Sequence, residues 1–299
     1  MHASPCPIRK LGTVDCDIVE ANPVVWKGRL LRFEYIRWKS AEKRYHGNST
    51  GRSYFRFVDC ADGSASAPFG VGLHMGNAFV WRDRMIVTAV EDWGKPRFYQ
   101  LESDDLVHWS APRVILENPA WEGFNTSVCR ADGRFVMVFE LGAPPEKIGV
   151  PYTMFFAESA DLKTWRELPG AVFGRDFYTG GPMVRFFDGF FYLTYLDGSY
   201  EKGFVTRIVR SRDLANWEHG VRPVLVYDED DRKLRGNLAP ELRTKIAQAE
   251  NINASDLDMC EYDGKLRLLY SWGNQRGKEF LAAAEADTTE QAFCESFFS

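Results

Sequence analysis

The stretch "NASDLDMCE" at 253–261 sets Asp256 and Asp258 two residues apart, with Leu257 and Met259 between and after them. On a β-strand that spacing turns both carboxyls to one face, about 7 Å apart. Two acids held so close push one pKa upward, and a raised carboxyl beside an ionised one is the basis of acid/base or nucleophilic catalysis. The same pair could instead satisfy backbone amides or hold a divalent cation. A second acid in a comparable setting is Glu20 in "IVEANPVVW", two positions before Asn22. Asp256 and Glu20 are therefore the first candidates for paired chemistry, with Asp258 as the residue that tunes them.

Other polar residues stand in turns between apolar runs. Glu122 in "WEGFN" and His74 in "GLHMGN" are spare proton donors, since a histidine can act as an acid near neutral pH. Asp176 in "GRDFYTGG" and Asp197 in "YLDGS" are candidate hydrogen-bonding groups, as are the amides of Asn22, Asn77 and Asn125. Each also reads as an ordinary turn or salt-bridge residue. Trp93, Trp121 and Trp272 follow strand ends, where an indole could stack on a ligand or simply fill the core.

These residues are far apart in the chain, so the fold must gather them. Five hairpins supply the means. Their turns fall at Lys27-Gly28, Arg82-Asp83, Asp132-Gly133, Asp188-Gly189 and Asp263-Gly264, each between alternating apolar runs. The motif Ser-x-Asp-Leu-x-x-Trp appears three times, from Ser103, Ser159 and Ser211. Its Ser and Asp suit a tight turn, its Leu points inward, and its Trp is expected to cover the gap towards the fourth strand.

Units of about 40–50 residues, each an antiparallel four-stranded sheet, imply a propeller, because one sheet cannot bury both faces alone. The expected fold is all-β: a five-bladed β-propeller of four-stranded antiparallel blades, occupying residues 1–299 as a single domain. Residues near "TVDCDIVE" are expected to lend blade five a strand, and "APELRTKIAQAE" at 239–250 to form one short helix between blades four and five. Counting back eight residues from each turn gives Glu20, Met75, Asn125, Gly181 and Asp256, which then enter the innermost strands. Counting back six gives Asn22, Asn77, Ser127, Met183 and Asp258. Acids and amides dominate this ring, which describes a polar pocket on the axis.

Composition limits the partners. The chain has 299 residues, 45% apolar and 26% charged, with a net charge of −5. That balance suits a globular protein and a neutral small molecule or sugar, and gives no attraction to nucleic acid or acidic membranes. A homo-oligomer is compatible with it. The chain also holds 9 Trp, 12 Tyr and 22 Phe. The six cysteines include no C-x-x-C pair and read as buried reduced thiols. No apolar run reaches the ~18 residues of a membrane span, and no signal-peptide pattern opens the chain, so a cytoplasmic protein is expected. Motifs for nucleotide cofactors and for zincin metal sites are absent, and no cofactor is expected.

The repeated motif at the end of a blade's third strand, with five blades, resembles the five-bladed glycosidase propellers: glycoside hydrolase family 43 and relatives such as families 32, 62, 68, 117 and 130. The resemblance implies cleavage of a glycosidic bond in an axial funnel by acidic side chains. It also implies departures. The family's base aspartate, in an Asp-Pro pair, corresponds to Asn22 of Asn22-Pro23, and its blade-three aspartate to Asn125. Its general acid, in Glu-Gly-Pro, corresponds to Gly180 of Gly180-Gly181-Pro182. Hydrolysis of a short oligosaccharide is the first reading. Phosphorolysis of the family 130 type is the second, with Arg130, Arg175 and Arg185 expected to converge on a single acid. A carbohydrate-binding propeller without catalysis is the third, and would lack paired carboxyls in the funnel.

Overall fold

The computed structural model describes residues 7–37, 51–199, 203–236 and 238–298. The ring is closed by β1 (Arg9–Cys16), which pairs with the last strand of the chain. Blade one contains β2 (Ala21–Trp26), β3 (Arg29–Ile36) and β4 (Tyr54–Asp59). Blade two contains β5 (His74–Trp81), β6 (Arg84–Val90), β7 (Arg97–Ser103) and β8 (Arg113–Glu117). Blade three runs from β9 (Gly123–Ala131) and β10 (Arg134–Leu141) through α1 (Pro145–Ile148) to β11 (Thr153–Ser159) and β12 (Arg166–Phe173). Blade four contains β13 (Met183–Phe187), β14 (Phe190–Asp197), β15 (Val205–Ser211) and the short β16 (Glu218–His219). Blade five follows α2 (Pro240–Gln248), with β17 (Asn253–Tyr262), β18 (Lys265–Gly273) and β19 (Glu279–Ala286); α3 (Glu290–Glu295) comes last.

All five sheets are antiparallel, and the innermost strands β2, β5, β9, β13 and β17 touch one another in a closed circle. The fold is a five-bladed propeller, and β1 adds to blade five as the sequence suggests. Blade one differs from expectation. Its sheet has three strands among the described residues, and the segment beyond β4 bridges back to it only at Phe55–Phe69 and Val58–Ala65. The helix expected at 239–250 is α2; among the described residues the shorter α1 and α3 and a 3-10 turn at Glu229–Arg232 accompany it.

Each of the five hairpin turns has positive φ at both central residues, from 49° and 78° at Lys27-Gly28 to 53° and 68° at Asp263-Gly264. This backbone twist matches that of the flanking strands. The apolar core lies between blades rather than within one: Phe33, Phe55, Phe98 and Phe139 join blades one to three, and Tyr192, Tyr270 and Phe293 join four to five.

The repeated motif forms the turn its residues suggest. Ser211 Oγ accepts from the amides of Asp213 (3.2 Å) and Leu214 (2.9 Å), and Asp213 Oδ1 from those of Ala215 (3.0 Å) and Asn216 (2.8 Å). Leu106, Leu162 and Leu214 all sit at φ 62°. The tryptophan does something other than expected. Trp217 Nε1 donates to the Val172 carbonyl at 2.9 Å, and its ring packs on Phe156 and Phe173 of blade three. Trp109 of blade two stacks on Phe69, following blade one, at 3.8 Å. In blades two and four the motif's tryptophan therefore packs against the preceding blade.

Ser211→Ala removes a buried acceptor for two amides of this turn. The variant is expected to lose about 1 kcal/mol of stability, read as a lower urea midpoint with unchanged slope; an unchanged midpoint would show that the turn holds without its serine.

Candidate active site

The five residues counted eight back from the turns, Glu20, Met75, Asn125, Gly181 and Asp256, all border one funnel cavity of about 270 Å³. Local backbone geometry aims several of them. Met75, Gly181 and Asp256 have φ of 46°, 57° and 50°, and the strand register shifts beside Met75 and Asp256. Such bulges turn a side chain out of the strand's regular alternation. Asp256 therefore does not simply share a face with Asp258. Below the funnel the channel narrows to about 30 Å³, bordered by Asn22, Asn77 and Asp258.

Four carboxyl groups line the funnel: Asp256, Glu20 and Glu140 from three different blades, and Glu279, which is paired with Arg37. Asp256 Oδ2 accepts from the hydroxyls of Ser255 (2.6 Å) and Ser271 (2.8 Å). Burial raises its pKa, and the two hydroxyls oppose that rise. Burial also pushes Glu20 up to about 7, with Arg37 pulling it down and Asp256 pushing it further up. Glu140, at the end of β10, is raised well above the usual carboxyl range by burial and then by the charge of Asp256. Its Oε2 accepts from Asn125 Nδ2 at 3.1 Å. Glu140 Oε1 and Glu20 Oε2 are buried with no hydrogen-bond partner among the described residues. Arg37 is held beside them by Asp17 (3.2 Å) and Glu279 (3.0 Å).

Glycines let the acids approach. A Cβ on Gly181 would lie 2.5 Å from Asp256 Oδ1, and one on Gly180 would lie 3.8 Å from Glu140 Oε1. The space beside Gly180, where the resemblance places a glutamate, thus contains the Glu140 carboxyl.

Glu140 stands near the end of the second strand of blade three, inside an apolar run, where an isolated acid reads as an ordinary strand-end residue and was missed. A signal was present: one acid interrupts the apolar run "RFVMVFEL". Arg37, Glu279 and Tyr178 were missed likewise and also border the funnel.

The remaining candidates separate clearly. Trp93, 46% exposed, borders the funnel mouth, as does Tyr178, 43% exposed. Asn77 donates to Asp258 Oδ2 at 3.0 Å, and Arg185 to Asp258 Oδ1 at 2.7 Å. Asp258 is thus occupied by its own ion pair, and is not the group that tunes Asp256. Asn22 exchanges two hydrogen bonds with the Ala78 backbone and locks blade one to blade two.

His74 is a correction, since Tyr35 (2.6 Å) and Ser53 (2.8 Å) engage both ring nitrogens and the ring does not border the funnel. Glu122 and Asp176 are exposed and away from the cavity lining, and Asp197 is tied to Arg207 at 2.6 Å. Trp121 and Trp272 are core residues; Trp272 is fully buried, stacks on Phe280 at 4.5 Å and donates to Thr13.

The three arginines that phosphorolysis would require to gather do not. Arg130 lies over the Trp81 ring at 4.6 Å, Arg175 is exposed outside the funnel, and Arg185 pairs with Asp258 and Glu290. Among the described residues, no group of three or more His, Cys, Asp or Glu side chains is arranged to hold a metal ion. Also among them, Cys60 is exposed, against the expectation of buried thiols, while Cys16, Cys129 and Cys294 are buried and Cys260 is partly so; Cys6 lies outside the described residues. No described helix is long and apolar enough to cross a membrane.

No family model matches the sequence, and no curated protein matches it. Solved structures do. A xylan β-1,4-xylosidase from Bacillus halodurans superposes with a TM-score of 0.62 at 15% identity, covering 95% of this chain and 55% of that one. The chain thus spans about half the length of that xylosidase. An α-L-arabinofuranosidase from Podospora anserina gives 0.63 at 10% identity, covering 95% of this chain and 98% of the other. A structure described under the family 130 mannoside phosphorylases and hydrolases gives 0.60 at 12% identity, with 95% of each chain covered.

The fold is that of the five-bladed glycosidase propellers. At these identities the likeness concerns the backbone and leaves chemistry to the site itself.

Glu20 offers a measurable consequence of burial. The folded protein keeps its proton up to about pH 7, whereas an unfolded chain releases it near 4.5, so stability falls as pH rises between those values. Glu20→Gln should therefore gain on the parent between pH 4 and pH 8 by on the order of 1–3 kcal/mol in denaturant melts; a constant difference across that range would contradict the raised pKa.

Proposed function

We propose that the protein is a glycosidase that cleaves a glycosidic bond of a short oligosaccharide in the axial funnel. The observation that carries this reading is the meeting of Asp256, Glu20 and Glu140, from blades five, one and three, at one cavity. Glycoside cleavage needs a proton for the leaving oxygen and an ionised carboxylate for the anomeric carbon or its attacking water. Asp256, with two hydroxyls supporting its charge, suits the second task. Glu140 suits the first: Asn125 donates to Oε2, so the proton resides on Oε1, the oxygen left without a partner.

In the step proposed, the bond from the anomeric carbon to the leaving oxygen breaks as Glu140 gives that oxygen its proton. Asp256 attacks the carbon or takes a proton from the water that does. Glu20 stands between Arg37 and Asp256 and couples their charges. Trp93 and Tyr178 offer exposed ring faces at the mouth, where a sugar's apolar face can stack. Hydrolysis is favoured over phosphorolysis because the basic cluster anticipated for phosphate is dispersed over three separate places.

The test is a panel of oligosaccharides and aryl glycosides, assayed with and without phosphate. Asp256→Asn and Glu140→Gln should each lower kcat/KM by about 10²–10⁴-fold. Glu140→Gln should keep most of its rate on aryl glycosides with acidic phenols, which leave without a proton. Equal loss on good and poor leaving groups would remove Glu140 from the role of acid, and full activity in Asp256→Asn would overturn the reading.

A further inference from the structure

A second cavity, of about 420 Å³, opens at the seam between blades one and five. It lies away from the funnel: Leu30 and Arg32 follow the Lys27-Gly28 turn, and Arg267 and Leu268 follow Asp263-Gly264, whereas Glu20 and Asp256 are at the other ends of β2 and β17. Its walls are largely apolar, with Val14, Leu30, Val58, Leu238, Leu268 and Ala283 contributed from both blades and their flanks. Three arginines, Arg32, Arg235 and Arg267, also line it.

The cations around this cavity outnumber their counter-ions. Glu285 is shared by Arg9, Lys265 and Arg267, Glu34 and Asp15 by Arg32 and Arg56, and Asp287 adds one further acid on Lys265. Asp59, which also lines the cavity, is already engaged by Arg29 at 2.6 Å and by the Ala61 amide at 2.8 Å. Arg235 pairs with no acid among the described residues; its backbone amide is fixed on the Thr13 carbonyl at 2.8 Å, and burial together with Arg267, Arg32 and Arg9 weakens its hold on its proton. Arg267 Nε is buried with no acceptor. A guanidinium without a counter-ion and an unused N–H donor both favour an incoming carboxylate.

We propose that this cavity binds a small amphiphilic anion, its carboxylate received by Arg235 and Arg267 and its apolar body by the walls of blades one and five. The site is separate from the funnel and does not depend on the chemistry proposed there. A neutral sugar is excluded by the apolar walls, and an inorganic anion alone would leave those walls uncovered.

Octanoate is a suitable probe, with 1-octanol as its uncharged counterpart, titrated calorimetrically into the intact protein. Cys60 also lines this cavity and is exposed, so its alkylation rate, followed on its own peptide by mass spectrometry, locates the bound probe. Octanoate is expected to bind and to slow Cys60 alkylation severalfold, with octanol at least about tenfold weaker. Arg235→Ala should weaken octanoate about tenfold, Arg235→Lys should retain most of the affinity, and Asp256→Asn should leave it unchanged. Both Arg235 variants alter a side chain that is partly buried at its base, largely exposed, and paired with no acid among the described residues, so both are expected to fold, which matched thermal melts check. Three results would each overturn the proposal: no octanoate binding up to about 10 mM, equal binding by Arg235→Ala, or loss of binding in Asp256→Asn.

Discussion

Negative charge gathered where five sheets meet is the constraint around which this molecule is organised. The axis of a propeller is the place most removed from solvent that still opens to it, so each acid placed there loses hydration and gains like-charged neighbours. Asp256 is supported by two serine hydroxyls, Glu20 has Arg37 beside it, and Glu140 has the amide of Asn125. Those supports are unequal, so burial raises the three carboxyls against different opposing partners without any change of residue type.

Backbone geometry and charge are coupled at this point. Bulges at the entries to β5 and β17 turn Met75 and Asp256 out of the strand alternation, and the glycines at 180 and 181 leave room for two carboxyls. A Cβ at Gly181 would collide with the Asp256 carboxyl, and one at Gly180 would lie in contact with Glu140. Blade four thus presents glycines where it faces the funnel, and the Glu140 carboxyl of blade three lies beside them. Asn125 fits this placement, since an amide can donate to Glu140 where a second carboxylate would repel it.

The periphery obeys a different balance. The Ser-x-Asp-Leu-x-x-Trp turns of blades two and four reach the preceding blade through their tryptophan rings, and Trp217 adds a hydrogen bond to a backbone carbonyl there. At the seam of blades one and five the ring is closed instead by β1, and the packing there leaves an apolar cavity edged by arginines. Acid surplus at the centre and cation surplus at the seam give the two cavities opposite preferences for charge.

The sequence by itself determined the number of blades, the five hairpin turns, the turn chemistry of the repeated motif and the ring of residues that border the funnel. These follow from local rules: positive φ at paired turn residues, strand alternation, and a fixed count from turn to strand entry. It did not determine which polar residues are free to act. His74, Asp197 and Asp258 look as reactive as Asp256 when read in order, yet each is bound by partners 20 or more positions away or across a hairpin. Trp121 and Trp272 likewise look like stacking platforms until Phe98 of blade two packs on the first and Phe280 of its own blade stacks on the second. Glu140 became visible only when blade three was set beside blade five, because its raised pKa comes from desolvation and from Asp256, and both exist only once the ring has closed.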